Sequence, residues 1–123
     1  MANDSKLEAE FVSRKKLAVL TAPDGDDLVG WVEAYFALAV TTADSSRKVQ
    51  RRDLDTFLAF MAREVGHTQR AAWTPRLSRA FVNDLRSTLD GEGRRRFADV
   101  TINRILAHLK TFAKWVHSHR PFP

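Results

Sequence analysis

The sequence Thr101-Ile-Asn-Arg-Ile-Leu-Ala-His-Leu-Lys-Thr-Phe-Ala-Lys-Trp-Val116 separates its apolar and polar side chains with helical spacing. The apolar residues recur at steps of three and one: Ile102, Ile105, Leu106, Leu109, Phe112, Ala113 and Val116. This period predicts an amphipathic helix whose apolar stripe packs into a core. The other face carries the polar residues Asn103, Arg104, His108, Lys110, Thr111 and Lys114. Their amide, guanidinium, imidazole and ammonium groups are suited to hydrogen-bonding base edges and neutralising phosphates in a DNA groove.

Three amphipathic segments precede this helix. The first spans about 26 to 40, and its two leading aspartates suit the N-terminal turn by capping and by the helix dipole. The second spans about 46 to 65, with Ser46 as its cap and a glycine after its last residue. The third begins at Pro75 behind a threonine cap and runs to about 89. Four helices with short connections, and no convincing alternating strand segment, predict an all-α bundle.

The first two turns of the second helix are basic, with Arg47, Lys48, Arg51 and Arg52. Basic side chains near a helix N-terminus oppose the helix dipole by about 0.3–1 kcal/mol each. Phosphates would reverse this effect, because the free N–H groups and the side chains would then bind the same anion. The alternative is a solvated surface on which Arg52 pairs with a nearby acid such as Asp55.

Length and composition restrict the class of protein. The 123 residues suit one domain with its own core, and the absence of cysteine excludes disulfides and thiolate metal sites. This cysteine usage predicts a reducing, intracellular setting. Charges interrupt every apolar run, so no stretch approaches the roughly 20 apolar residues of a membrane span. The first residues lack the order of a secretory signal, and we therefore expect a cytoplasmic protein with no membrane partner.

The net charge of +5 is unevenly distributed along the chain. Residues 1 to 44 hold four Lys or Arg against eight acids, whereas the remainder holds sixteen basic residues against seven acids. Such asymmetry is typical of a protein that binds a polyanion. An unevenly charged, solvated surface would have the same composition.

Neither a metal nor a cofactor is predicted. His117 and His119 are two residues apart and diverge on a helix, and no cysteine or carboxylate cluster completes a ligand set with them. The helical spacing of most aromatic residues predicts that they belong to the core rather than to a base-stacking platform. Trp73 lies in a predicted loop, and its role is open.

Two motifs support a family resemblance. They are Ser46-x-x-x-Gln-Arg-Arg-Asp-Leu54-x-x-Phe57 and the Val100-Thr-Ile-Asn-Arg stretch that continues to Trp115. In this order and at this distance, ahead of a proline-containing end, they resemble the N-terminal core-binding domain of tyrosine recombinases and phage integrases. The resemblance covers about residues 26 to 123. Gln50 departs from it, because the family often has tyrosine there.

The resemblance implies a four-helix SAM-like bundle that forms half of a clamp around duplex DNA. Residues 24 to 120 would be this domain, 1 to 23 an N-terminal arm or extra helix without a counterpart, and 121 to 123 the start of a linker to a catalytic domain. The implied partners are double-stranded DNA, the catalytic domain of the same parent chain and, as a further option, other copies on DNA. The implied origin is bacterial or phage-derived.

The candidate DNA-binding residues come from the polar faces and from the resemblance together. By position, the resemblance implies Ser46, Lys48 and Arg51 near phosphates, and Thr101, Arg104 and His108 along the groove-facing side of the fourth helix. The polar faces and the basic connection at 94 to 96 add the other members. The complete set is Ser46, Arg47, Lys48, Arg51, Arg95, Thr101, Asn103, Arg104, His108 and Lys110.

The chain itself is predicted not to be catalytic. The recombinases it resembles cut DNA with a tyrosine near their C-terminus, whereas the single tyrosine here, Tyr35, lies on the apolar stripe of the first helix. His117-Ser-His-Arg120 matches the family's His-x-x-Arg box, but no tyrosine follows it. The predicted function is a non-catalytic DNA-binding domain for integration or recombination. The alternative is a helical protein-interaction module with a basic docking face, and an independent helix-turn-helix repressor is disfavoured.

Overall fold

The computed structural model describes residues 25 to 123, and the predicted arm at 1 to 23 lies outside them. Within the described range the chain forms four α-helices and no β-strand, so the all-α prediction is confirmed. The helices are α1 (Leu28–Leu38), α2 (Asp44–Val65), α3 (Pro75–Ser87) and α4 (Asp99–His119). A single 3-10 turn, Arg70–Ala72, lies between α2 and α3.

Several helix ends are where the sequence signals predict them. The Asp27 carboxylate caps α1 by accepting a hydrogen bond from the N–H of Val29 at 3.0 Å. Thr74 caps α3 in the same way, with Pro75 as the first helical residue. Gly66 ends α2 with a φ of 88°, a left-handed conformation that side chains rarely adopt.

Two predicted helix boundaries are wrong by a few residues. Ser46 does not cap α2, because the helix begins at Asp44 after Ala43 and Ser46 lies inside its first turn. The acid at Asp44 suits the helix dipole, so the start of α2 is less basic than predicted. The third helix ends at Ser87 rather than near Leu89, because the Thr88 carbonyl accepts a hydrogen bond from Arg96 across the following turn.

The core contains the aromatic residues that helical spacing predicts to be buried. Phe57 is central, with the rings of Trp73 and Phe81 at centroid distances of 4.7 and 5.1 Å. Trp73, whose role was open, is buried, and its indole N–H donates to the Ser78 hydroxyl at 2.8 Å. The buried residues of α4 are five of the seven in its predicted stripe: Ile102, Ile105, Leu109, Phe112 and Val116.

A buried arginine joins the beginning and the end of the described chain. Arg70 donates to the Asp26 carboxylate at 2.6 Å and to the carbonyl oxygen of Pro121 at 2.8 Å. Phe122 packs edge-on against Trp73 at 5.3 Å. A linker role for 121 to 123 stays a prediction, but Phe122 itself packs against the bundle.

Replacing Asp27 by alanine is expected to lower the free energy of unfolding by about 0.5–2 kcal/mol at neutral pH, the usual range for an N-cap. Hydrogen bonds from the Thr68 hydroxyl and then from the Val29 N–H hold the pKa of Asp27 below its ordinary value. The ionised carboxylate therefore stabilises the fold above the unfolded-state pKa of about 3.9. This stabilisation is lost as pH falls through the lower folded-state pKa.

Urea unfolding of the wild type and of Asp27→Ala at several pH values measures this effect. The difference between the two proteins should shrink as pH falls through that window. Asp55→Ala, which removes an exposed carboxylate that makes no cap, is the control. A difference for Asp27→Ala that is the same at neutral and acidic pH would contradict the assignment.

Candidate nucleic-acid interface

A buried carboxylate joins the two helices that carry the predicted DNA-binding residues. Asp53 of α2 is only 2% exposed, and both of its oxygens bind α4. Arg104 donates from Nε to Oδ2 at 3.0 Å and from Nη2 to Oδ1 at 2.9 Å. His108, one turn further along, places its Nδ1 at 2.8 Å from Oδ2. We call Asp53, Arg104 and His108 the Asp53 cluster.

The register of α2 explains why this aspartate is buried. Asp53 precedes Leu54 and lies one turn before Phe57, so it belongs to the apolar stripe that faces α4. A carboxylate at such a position needs charged partners, because an unpaired buried charge costs several kcal/mol. The spacing of Arg104 and His108 by four residues supplies two partners on one face of α4. Asp53 is therefore a site residue that the sequence patterns did not predict. The sequence feature that indicates it is a charged residue within an apolar stripe.

Arg104 is fixed on one side and open on the other. Hydrogen bonding to Asp53 raises the pKa of Arg104 above its ordinary value. The bond to Asp53 uses the edge formed by Nε and Nη2. Because a guanidinium has five N–H donors, the outer edge formed by Nη1 and the second hydrogen of Nη2 stays free for a ligand. The side chain is 38% exposed and lines two surface depressions, so Arg104 is accessible to a ligand.

Beside the Asp53 cluster lies a basic groove of about 580 Å³ between α2, α3 and the start of α4. Its charged lining consists of four arginines and two aspartates: Arg52, Arg63, Arg96, Arg104, Asp53 and Asp84. Arg104 pairs with Asp53, and Arg63 approaches Asp84 at 3.3 Å. Arg52 and Arg96 have no carboxylate partner among residues 25 to 123, and the predicted pair of Arg52 with Asp55 is not found there. The groove therefore presents unpaired positive charge.

Two of the predicted phosphate ligands have structural partners instead. Arg47 donates to the carbonyl oxygens of Val40 and Phe36, at 2.7 and 3.0 Å, and so satisfies the open end of α1. Arg51 forms an ion pair with Glu33 and lies over the ring of Phe36. These contacts give the two arginines partners within the bundle. The sequence did not show them, because the partners are seven to eighteen residues away.

The other predicted residues do not all lie on one surface. Thr101 lines the basic groove, and Ser46 lines a neighbouring depression that also contains Arg104 and His108. Asn103 lies on a different side, in a depression shared with Arg95, and Arg95 is paired with Asp99 at 2.9 Å. Two predicted lysines are exposed: Lys48 on α2 and Lys110 on α4. Lys48 lies beside Arg52, whereas the register of α4 directs Lys110 away from α2.

A second basic surface was missed by the sequence reasoning. Arg76, Arg79 and Arg86 are exposed on α3, on the side opposite the buried residues Leu77 and Phe81. Within the described part of the chain these arginines have no carboxylate partner. Their spacing of three and seven residues places them on one face of a helix, and this spacing is the sequence feature that could have predicted the surface.

The residues that could have supported catalysis or metal binding make contacts within the fold instead. Tyr35 is buried as its position in the apolar stripe predicts, and burial raises the pKa of its phenol. His117 accepts a hydrogen bond from the N–H of Phe122 at 3.0 Å and stacks on its ring. His119 lies against Trp115. Between residues 25 and 123, no three His, Cys, Asp or Glu side chains are grouped so that they could hold a metal ion.

Searches of family models, curated proteins and solved structures found no match to this chain. None of the helices in residues 25 to 123 combines the length and the apolar character needed to cross a membrane.

Proposed function

We propose that this chain is a non-catalytic duplex-DNA-binding domain that resembles the SAM-like core-binding domain of a tyrosine recombinase or phage integrase. The observation that carries the proposal is the basic groove beside the Asp53 cluster. It lies along the packed pair α2 and α4, and the same two helices contain the motifs on which the resemblance rests. Unpaired guanidinium groups beside a helix pair suit the phosphates of a duplex.

The contacts divide the candidate residues into two roles. Lys48, Arg52 and Arg96 have no acidic partner in the described range and are assigned to phosphates. Arg47 and Arg51 stabilise the junction between α1 and α2, so we assign them a supporting role and no direct contact with DNA. About three neutralised phosphates are therefore expected, from Lys48, Arg52 and Arg96.

Cleavage and joining of DNA are assigned to a catalytic domain of the parent protein. Such chemistry needs an activated nucleophile and a set of cationic groups around the transferring phosphoryl group. Tyr35 is buried against Phe112, at a ring-centroid distance of 5.2 Å, and is a core residue. The bundle would position the catalytic domain on its site by holding the duplex.

Replacing Arg52 and Arg96 together by alanine is expected to weaken binding to a fluorescently labelled duplex by roughly 10- to 60-fold at about 0.1 M salt. The magnitude follows from the loss of two phosphate contacts, each of which releases about 0.9 counterion. Fluorescence anisotropy measures the binding. Circular dichroism checks that the helices are retained, which we expect because both side chains are exposed.

The matched control is Arg79→Ala together with Arg76→Ala. It removes the same charge from the outer face of α3, away from the basic groove. An equal loss of affinity in both double variants would show that only net charge matters and would contradict binding through the groove.

The alternative is a protein-interaction module, and the basic outer face of α3 is the observation that favours it. An acidic partner or the acidic first third of another copy would complement Arg76, Arg79 and Arg86. Light scattering at low salt tests this alternative. Self-association that is lost in the α3 double variant, without any binding to duplex DNA, would favour the alternative over the proposed function.

A further inference from the structure

We propose that Asp53 is a positioning residue that presents Arg104 to the O6 and N7 atoms of a guanine in the major groove. This inference rests on the proposed function and adds sequence recognition to it. The structure supports it through the side-on pair, in which Asp53 binds Nε and Nη2 of Arg104. The outer edge, with two roughly parallel N–H groups, is left to bind two acceptors at once.

The rigidity of the pair suits the reading of a base. Asp53 is itself held, because it is buried and accepts a third hydrogen bond from Nδ1 of His108. Its carboxylate is an acceptor only, so the proton of the imidazole lies on Nδ1. An arginine whose inner edge is already bound to a carboxylate loses little conformational entropy when its outer edge binds a ligand. The orientation of its outer N–H groups is also fixed in advance. The exposed Lys48 and Arg52 have no such support.

The charge of the pair favours a guanine over a phosphate as the ligand. Both ligands offer two acceptors to an arginine. The carboxylate of Asp53 offsets the positive charge of Arg104 at 2.9 Å, however, and it repels a phosphate at the same place. The N–H groups still donate to a neutral base edge. The unpaired Arg52 and Arg96 of the basic groove are the better phosphate ligands.

Selection from a duplex DNA pool with a randomised central segment tests the inference. The full chain and its Asp53→Asn, Asp55→Asn and Arg104→Lys variants are each used to select from the pool, and the enriched sequences are compared. For the wild type we expect a position at which guanine is preferred by about 5- to 150-fold. Arg104→Lys keeps the positive charge but removes the two parallel N–H donors of the guanidinium. It should therefore abolish the guanine preference at that position alone.

Asp53→Asn gives the result that separates positioning from electrostatics. It removes the carboxylate that fixes Arg104, so the guanine preference should be lost, whereas any change in affinity for unselected duplex that comes from the removed charge alone should appear in Asp55→Asn as well. Asp55→Asn makes the same substitution at an exposed position of the same helix and should retain the preference. A folded Asp53→Asn protein that still prefers guanine at that position would overturn the inference.

Other outcomes also decide between the claims. Salt-dependent binding of the wild type without any enriched sequence would overturn the inference and leave the proposed function standing. Absence of binding to any duplex would overturn both. If Asp53→Asn fails to fold, Arg104→Lys decides the recognition of guanine, and a retained preference in that variant would overturn the inference.

Discussion

Raising the salt concentration from about 50 mM to about 200 mM is expected to weaken the binding of this protein to duplex DNA by about 40-fold. Three cations are assigned to phosphates in the proposed complex: Lys48, Arg52 and Arg96. Each neutralised phosphate releases about 0.9 counterion, so the logarithm of affinity should fall with the logarithm of salt at a slope near −3. Anisotropy titrations with one duplex at several salt concentrations measure the slope.

The variants make this prediction specific to the basic groove. Arg52→Ala with Arg96→Ala should reduce the slope by about two, because each contact contributes about one. Arg76→Ala with Arg79→Ala should leave it unchanged. Binding that does not weaken as salt is raised would be incompatible with the proposed function, because phosphate contacts supply its affinity.

Replacing Phe81 by alanine is expected to have the largest effect on stability, a loss of about 3–5 kcal/mol in the free energy of unfolding. Phe81 is fully buried, and its ring lies 5.1 and 5.3 Å from those of Phe57 and Phe60 of α2. The cavity left by the substitution would lie between α3 and α2, and the close-packed side chains around it can collapse into it only in part. Unfolding in urea, followed by circular dichroism, measures the loss.

Val100→Ala is the control for this prediction. Val100 is also a large apolar residue, but 75% of it is exposed at the start of α4, so its truncation should change stability by less than about 0.5 kcal/mol. Similar losses in the two variants would indicate that the core described for α3 and α2 is not the one that stabilises the protein.

Local signals in the sequence predicted the four helices of residues 25 to 123. Apolar spacing located α1 to α4, and capping residues such as Asp27, Thr74 and Gly66 predicted their ends correctly where the side chain or glycine acts within its own turn. The errors occurred at Ser46 and Leu89. The structure begins α2 at Asp44, whose acid suits the helix dipole, and ends α3 before a turn closed by the hydrogen bond from the Arg96 N–H to the Thr88 carbonyl. The helical spacing of apolar residues predicts neither feature.

The candidate site was predicted only in part, because a residue's type does not show which partner it binds. The sequence marked Arg47, Arg51 and Arg104 equally as cations on polar helix faces. The structure places the first against backbone carbonyls, the second against Glu33 and the third against a buried carboxylate. These partners lie between 7 and 51 residues away along the chain, beyond the reach of any periodic pattern.

The amino-acid sequence by itself determined the all-α class, the apolar stripes and the excess of cations after residue 44, since these depend on residue type and on spacing within one helix. Only the tertiary structure decided which cations are free to bind an anion. Packing of α2 against α4 buries Asp53 and pairs it with Arg104. Arg52 and Arg96 have no carboxylate partner in the described range, so their positive charges stay unpaired. The physical reason is that desolvation and pairing act between helices, at distances that the folded chain alone defines.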